Sequence, residues 1–294
     1  MTSLSQGGQY RPMGDICILL PAHPLNRRQV DPAFQAEKNA IHNLGMTHCV
    51  VPEDEPLAPM EGIDQFIYRG WMKTEDEYAK MFGNIPIINS PTQYANCHYN
   101  VSSYSKIQKM PETFFFWSIT PDIAKIYEEM KPHLQSSDFL VKDFVKSEHR
   151  HWHEACFIPQ NADFDKFNAV VARFLQLRGP RLNKGLAFKK YVKLTTLEPE
   201  YRFWFLNNSF IHYNNHSVEP QGLYPPQYSE IKDVILSYGI ESNFYSVDIA
   251  YKDDGDWVVI ETGDGQVSGI SKQDECELLS FYRAMQTALR NDYE

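Results

Sequence analysis

Residues 246–269 read SVDIAYKDDGDWVVIETGDGQVSG. Two apolar runs, Ser246–Tyr251 and Trp257–Glu261, flank an Asp254-Gly255 pair. Apolar runs on either side of Asp-Gly are a short-range signature of a β-hairpin. Asp248 lies on the first strand, Glu261 ends the second, and Asp264 follows in a Gly-flanked loop. Asp248 and Glu261 sit among Val247, Ile249, Val259 and Ile260, where an unpaired carboxylate is costly to bury. They therefore hold a cation, enter an internal ion pair, or form a solvated acidic edge. Mg²⁺ suits the first case, because it takes a few carboxylates and completes its octahedron with water and phosphate oxygens.

Working upstream, strands dominate from Gly185: Leu186–Leu194, Glu200–Leu206 and Ser209–Asn214, with Asn207-Asn208 as a second hairpin turn. In LAFKKYVKL (186–194) the apolar strand breaks into Lys190-Tyr191-Val192, whose backbone can face an adenine edge. Glu198 and Glu200 could accept ribose hydroxyls. Arg202, between Tyr201 and Phe203, asks for an anionic partner, either a phosphate or a carboxylate of a packed hairpin.

FLVKDFVKS (139–147) sets Lys142 inside an apolar strand, on the face opposite Val141 and Asp143. Its partner is a carboxylate or a nucleotide phosphate. Lys146 ends the strand and leads into SEHRHWHEA (147–155), where His149, His151 and His153 alternate. That spacing is also zinc-like, but no thiol or fourth ligand lies nearby in sequence. The functional reading is a basic flap over phosphates and substrate, supplied by Lys146, Arg150 and His151; the plain one is a solvated loop. Around this segment the pattern predicts helices over Tyr94–Gln108, Asp122–Met130 and Asp163–Leu177, and a strand over Thr113–Trp117.

Nearer the N-terminus, DICILLP (15–21), Thr47–Val51, Phe66–Tyr68 and PIIN (86–89) read as strands. Helices over Asp31–Leu44 and Glu75–Phe82, the latter N-capped by Thr74, separate them. This alternation predicts an α/β layer with a parallel sheet. Arg69 and Gly70 stand at a strand end, where open α/β sheets bind ligands, so Arg69 is a candidate for a substrate carboxylate; otherwise it is a turn arginine. A helix over Asp274–Leu289 closes the chain. The resulting division is a tail 1–14, an α/β domain 15–95, a small lobe 96–184 and a C-terminal lobe 185–294. The aromatic loop HSVEPQGLYPPQY, with Tyr224, Pro225, Pro226 and Tyr228, reads as a lid, a contact surface or a long loop.

Composition narrows the function. Among 294 residues, 38 acidic and 28 basic residues leave a net charge of −10, which argues against a broad nucleic-acid footprint. No apolar run reaches the roughly 18–20 residues of a membrane helix. The five cysteines are scattered without a CxxC pair, so a reducing, cytoplasmic setting is expected. Neither a P-loop nor a GxSxG elbow is present.

The order of these motifs resembles the ATP-grasp superfamily, and within it the clade in which an arginine of the nucleotide site is replaced by lysine. The resemblance rests on YRGWM with INSPTQYANCHY, on VKDFVKSEHRHWHEACFIP, on EYRFWFLNNSFI and on VDIAYKDDGDWVVIETGDGQVSG, from about Asp15 to Gly269. It implies a pre-ATP-grasp α/β domain followed by a two-lobed α+β ATP-grasp fold. The implied activity is phosphorylation of a carboxylate by ATP with Mg²⁺, the acyl phosphate then being displaced by an amine or thiol. Lys142 matches the phosphate-binding strand lysine, with Lys146 beside it. Lys190, Tyr191 and Val192 match the adenine hinge. Arg202 matches a phosphate- or transition-state-contacting arginine, and Asp248 and Glu261 match metal ligands. The family's third ligand is usually Asn at the position of Gly263; here Asp264 is the substitute. An early family lysine corresponds to Lys106 or Lys109. The flap, usually Gly-rich, is here SEHRHWHEA. The implied partners are a small-molecule, peptide or protein carboxylate and an amine, with no membrane. A kinase on the same fold and a non-catalytic nucleotide-binding protein are the alternatives.

Overall fold

The apolar run at the N-terminal side builds the centre of a sheet. In the computed structural model, which describes residues 15–99, 101–215, 228–270 and 274–291, β1 (Asp15–His23) is buried from Cys17 through Ala22. A run apolar on both faces suits a parallel strand covered on both sides. After β2 (Asn26–Val30) and α1 (Gln35–Asn43) come β3 (His48–Val51) and β4 (Ile63–Tyr68). Both pair in parallel with Ile18 and Leu19 of β1, so they flank it, as the alternation predicts. The strand β2, which has no apolar signature, pairs antiparallel with the end of β1. Thr74 caps α2 (Glu75–Phe82) in a reciprocal capping box with Glu77. Pro86–Asn89 does not become a strand. It makes one isolated parallel bridge, Phe66 to Ile87, because Pro86 lacks an N–H and the next helix begins at Pro91.

The chain divides into two compact units, Met1–Thr92 with Lys272–Glu294, and Gln93–Ser271. The helix predicted over Tyr94–Gln108 is two shorter ones, α3 (Pro91–His98) and α4 (Val101–Tyr104). There follow β5 (Thr113–Phe116), α5 (Ile123–Leu134), β6 (Phe139–Asp143), α6 (Trp152–Ala155), β7 (Phe157–Ile158), α7 (Phe164–Arg178) and β8 (Leu186–Lys190). Strands β5-β8-β6-β7 form an antiparallel sheet. One face packs Phe139, Val141, Leu186 and Phe188 on Met130 of α5 and Phe167, Val170 and Phe174 of α7. Alternation sends Lys142 and Lys189 to the other face.

The second sheet of this unit, β10-β9-β11-β12, is built from β9 (Tyr201–Leu206), β10 (Ser209–Asn215), β11 (Phe244–Tyr251) and β12 (Trp257–Asp264). Asn207 and Asn208 take φ of +47° and +58°, the left-handed pair that a type I′ hairpin turn needs. The strand expected through Leu194 ends at Lys190 and leaves an isolated bridge, Leu194 to Lys252. One sheet face buries Phe203, Phe205, Val247, Ile249 and Val259 against Ile231 and Ile235 of α8 (Tyr228–Ser237). The last helix, α9 (Glu275–Asn291), belongs to the first unit and packs there on α1. The tail 1–14 and Tyr224, Pro225 and Pro226 of the aromatic loop lie outside the described residues.

Candidate functional site

Four strands lay a polar row across the second sheet. The β9–β10 turn sets Asn214 opposite Arg202, β11 sets Asp248 opposite Arg202, and β12 sets Glu261 opposite Asp248. Arg202 donates from Nε and Nη2 to the two Asp248 oxygens, each at 2.6 Å, and from Nη1 to the Gly269 carbonyl at 2.8 Å. Its guanidinium also lies 5.9 Å from the Trp204 ring, whose Nε1 donates to Asn214 at 2.7 Å. Both partners of the ion pair are buried.

A β-bulge brings Glu261 into this row. Asp248 faces Glu261 but Ile249 faces Val259, so Ile260 is the extra residue. Without it, plain alternation would give Glu261 the same direction as Val259, into the apolar core.

Lysines of the first sheet address the bulge. Lys142 Nζ lies 3.6 Å from Glu261 Oε2, and Lys189 Nζ donates to the carbonyl of Ile260. Burial raises the Glu261 carboxyl, but Lys142, Arg202, Lys146 and Lys189 outweigh it and hold it below the ordinary value. Burial lowers the Lys142 ammonium, but Glu261, Tyr104 and Asp143 bring it above the ordinary value. Lys146 and Lys189 stay depressed, first by burial; Lys142 depresses both, and Arg202 also depresses Lys146. A buried Asp143 shapes the turn that carries Lys146. Its Oδ1 accepts the Val145 and Lys146 N–H groups at 2.7 and 2.5 Å, and its Oδ2 accepts Arg178 Nε at 2.9 Å.

The hinge lies at the end of β8. Lys190 and Tyr191 commit their N–H groups to the Glu112 and Asp138 carbonyls, at 2.8 and 2.9 Å. Trp152, Phe157 and Tyr191 form an aromatic cluster with centroids 5.5–5.8 Å apart. Glu198 accepts the Tyr201 hydroxyl at 3.3 Å. Burial, then Asp248 and Glu261, push the Glu200 carboxyl up to about 8, against the pull of Arg202 and Lys189.

The family model for the ATP-grasp domain of the arginine-to-lysine clade, family 3, matches residues 131–285, just over half of the chain. The chain belongs to this ATP-grasp family. The fold agrees. The crystal structure of D-cycloserine synthetase DcsG superposes with a TM-score of 0.63 at 13% identity, over 94% of this chain and 100% of that one. A RimK domain ATP-grasp protein from Sphaerobacter thermophilus gives 0.61 at 14% identity, over 92% and 98%. The ATP-grasp ligase PsnB, with minimal precursor, Mg and ADP, gives 0.56 at 12% identity, over 95% and 98%. No curated protein matches the chain.

Within this ATP-grasp chain the structure gathers Lys142, Lys146, Arg202, Asp248, Glu261 and Glu200, and holds Asp264 and Arg69 in networks of their own. Asp264 is fully buried and points to the opposite face of β12 from Glu261, where its Oδ1 accepts the Gln266 N–H at 2.9 Å. Among the described residues no group of three or more His, Cys, Asp or Glu side chains could hold a metal, which also covers the alternating histidines. Asp248 and Glu261, adjacent in the polar row, are the pair whose chemistry fits Mg²⁺. Arg69 is sealed inside the first unit. Its Nε and Nη2 donate to Glu37 at 3.0 and 3.2 Å, Tyr282 donates to the same carboxylate, and Phe281 lies 5.6 Å away. An arginine 1% exposed in such a network is a core cation rather than a surface carboxylate receptor. Arg150 is exposed and His151 half-buried, on a one-turn 3₁₀ helix leading into α6. Lys106 and Lys109 pair at the surface with Glu241 and Asp256. Lys190 has an exposed side chain, and Tyr191 and Val192 are half-buried.

Two residues near the carboxylates carry no sequence assignment. Lys189 shares a face with Ala187, the partner of Lys142, so period two places it in the site only once the β6–β8 pairing is known. His98 is buried, stacked on Tyr94 at 4.8 Å, and held down to about 4 by burial and by Lys146. It had only a lone histidine as its signal.

Proposed function

We propose that the protein is an ATP- and Mg²⁺-dependent ligase that joins a carboxylate to an amine through an acyl phosphate. The observation that carries this reading is the Arg202–Asp248–Glu261 row with Lys142 facing its end at 3.6 Å. Four cations, Lys142, Lys146, Lys189 and Arg202, act on the Glu261 carboxylate, a cluster suited to a polyphosphate. Phosphoryl transfer asks for positioning and charge neutralisation rather than a nucleophilic side chain.

Asp248 and Glu261 would hold Mg²⁺, which when bound neutralises phosphate oxygens and aligns them for transfer. Lys142 and Lys146 grip the phosphates, and Arg202 meets the charge that develops on them. The 190–192 hinge receives the adenine edge, and Glu198 and Glu200 the ribose hydroxyls. A substrate carboxylate oxygen attacks the γ-phosphorus and ADP leaves. The amine then attacks the acyl carbon, loses a proton and expels phosphate. Arg150 and His151 lie on the flap as candidates for the substrate side. PsnB is described with a precursor peptide, and DcsG as a D-cycloserine synthetase, so both peptide and small-molecule acceptors belong in the screen. Arg69 and Asp264 have no role in this reading. The finer partition into 15–95, 96–184 and 185–294 goes with it, except that α9 lies in the first unit. The five cysteines are unpaired, which supports a reducing, cytoplasmic setting. Among the described residues no helix is long and apolar enough to cross a membrane.

Thermal unfolding with ADP, with and without Mg²⁺, tests the site. Ligand at about 100 times its Kd stabilises by roughly 2.7 kcal/mol. A Mg²⁺-dependent shift that disappears in Glu261→Ala supports the reading, and no shift in wild type ends it. Phosphate release that requires both a carboxylate and an amine then separates a ligase from a kinase, and binding without turnover identifies a non-catalytic protein.

A further inference from the structure

Lys189 is a buried lysine of the site that has no ion pair among the described residues. It is 8% exposed and lies on β8, with Leu140 opposite and Lys142 as its diagonal neighbour on the same face. Consecutive residues of the bulge receive the two lysines: Glu261 faces Lys142, and the Ile260 carbonyl accepts from Lys189. An ammonium carries three donor protons, and the Ile260 carbonyl takes one. Among the described residues Lys189 has no other hydrogen bond and no ion pair. A buried cation with most of its donors unspent is costly unless an anion completes it. Its depression below the ordinary lysine value, from burial and then Lys142, is the electrostatic trace of that deficit.

A structural brace alone does not account for this residue. Capping one carbonyl needs one neutral donor, and burying a second ammonium beside Lys142 adds like-charge repulsion. A ligand with several anionic oxygens accounts for both the donors and the repeated charge. We infer that Lys189 is a third phosphate-holding lysine, which with Lys142 takes anionic oxygens of the bound nucleotide. This rests on the nucleotide reading above and extends it to a residue one position before the hinge. Lys106 and Lys109, the two candidates for an early lysine, are both spent on surface carboxylates.

The test is calorimetric binding of ADP and of adenosine, each with Mg²⁺, to wild type, Lys189→Gln and Lys189→Arg. Gln keeps an N–H donor for the Ile260 carbonyl and removes the charge; Arg keeps the charge. Loss of a charge-assisted contact weakens binding by about tenfold to a hundredfold. The expected result is that loss for ADP in Lys189→Gln, unchanged adenosine binding, and substantial recovery of ADP binding in Lys189→Arg. ADP affinity at the wild-type level in Lys189→Gln, or equal losses for ADP and adenosine, overturns the inference and leaves the nucleotide site standing. Failure of wild type to bind ADP overturns both. Should Lys189→Gln not fold, Lys189→Met together with Leu140→Gln replaces it as the charge-removing variant, read in the same way.

Discussion

Arg202 and Asp248 face each other across β9 and β11 and close two hydrogen bonds of 2.6 Å, the Arg202 side chain being 8% and the Asp248 side chain 2% exposed. A buried pair of this kind is costly to assemble and more costly to break. Removing one partner strands the other charge. Arg202→Met and Asp248→Leu are each expected to destabilise by about 3–5 kcal/mol in urea unfolding, and the double variant by less than their sum. Additive losses would mean that the pair is not energetically coupled.

Glu200 sets an alkaline dependence. Its carboxyl is raised to about 8, so between the ordinary 4.5 and 8 the folded protein holds a proton that the unfolded chain releases. The stability it contributes is present below the lower value and is lost as pH rises through the upper one. Glu200→Gln should therefore gain stability over wild type as pH rises from 5 to 8, on the order of 4 kcal/mol at about 1.4 kcal/mol per pH unit. An unchanged difference across that range contradicts the assignment.

His98 sets the acid limb. Burial and then Lys146 hold it down to about 4, so the folded state carries it neutral while the unfolded chain takes up a proton near 6.5. Its contribution is present above the unfolded value and is lost as pH falls through the folded one. His98→Gln should flatten the fall in unfolding free energy from pH 6.5 to 4. A parallel pH profile for the two proteins would show that other groups carry the acid transition.

Gly263 is kept small by two hydroxyls. A Cβ there would meet Ser268 Oγ at 2.6 Å and Ser246 Oγ at 3.0 Å, and those oxygens are hydrogen-bonded to each other at 2.7 Å. Gly263→Ala forces the Ser268 hydroxyl aside and breaks that bond, costing about 1–2 kcal/mol. Combining it with Ser268→Ala should cost less than the two changes separately. Full additivity in denaturant unfolding would place the strain elsewhere.

Much of the architecture was legible locally. Both hairpins, the Thr74 cap and the α7 stripe announce themselves within a few residues, through turn conformers, capping geometry and period. The polar row was half legible. Residue types marked Lys142, Arg202, Asp248 and Glu261, but nothing local says that one arginine closes on one aspartate of a strand 46 residues away. Lys189 and Lys190 show the limit. Both are lysines at a strand end, and which one turns inward depends on the pairing of β8 with β6. Arg69 shows it again, since its Tyr282 and Phe281 neighbours come from the last helix.

The sequence by itself determined the element types, the turns and the kinds of charge available to an ATP-grasp site, because these follow from backbone sterics and from spacing within one strand or helix. Only the tertiary structure decided which face each charge takes. The extra residue Ile260 turns Glu261 out of the apolar core toward Asp248, and alternation beyond it turns Asp264 back in. A single inserted residue reverses the direction of every side chain after it, and its position is set by the partner strands rather than by β12 itself.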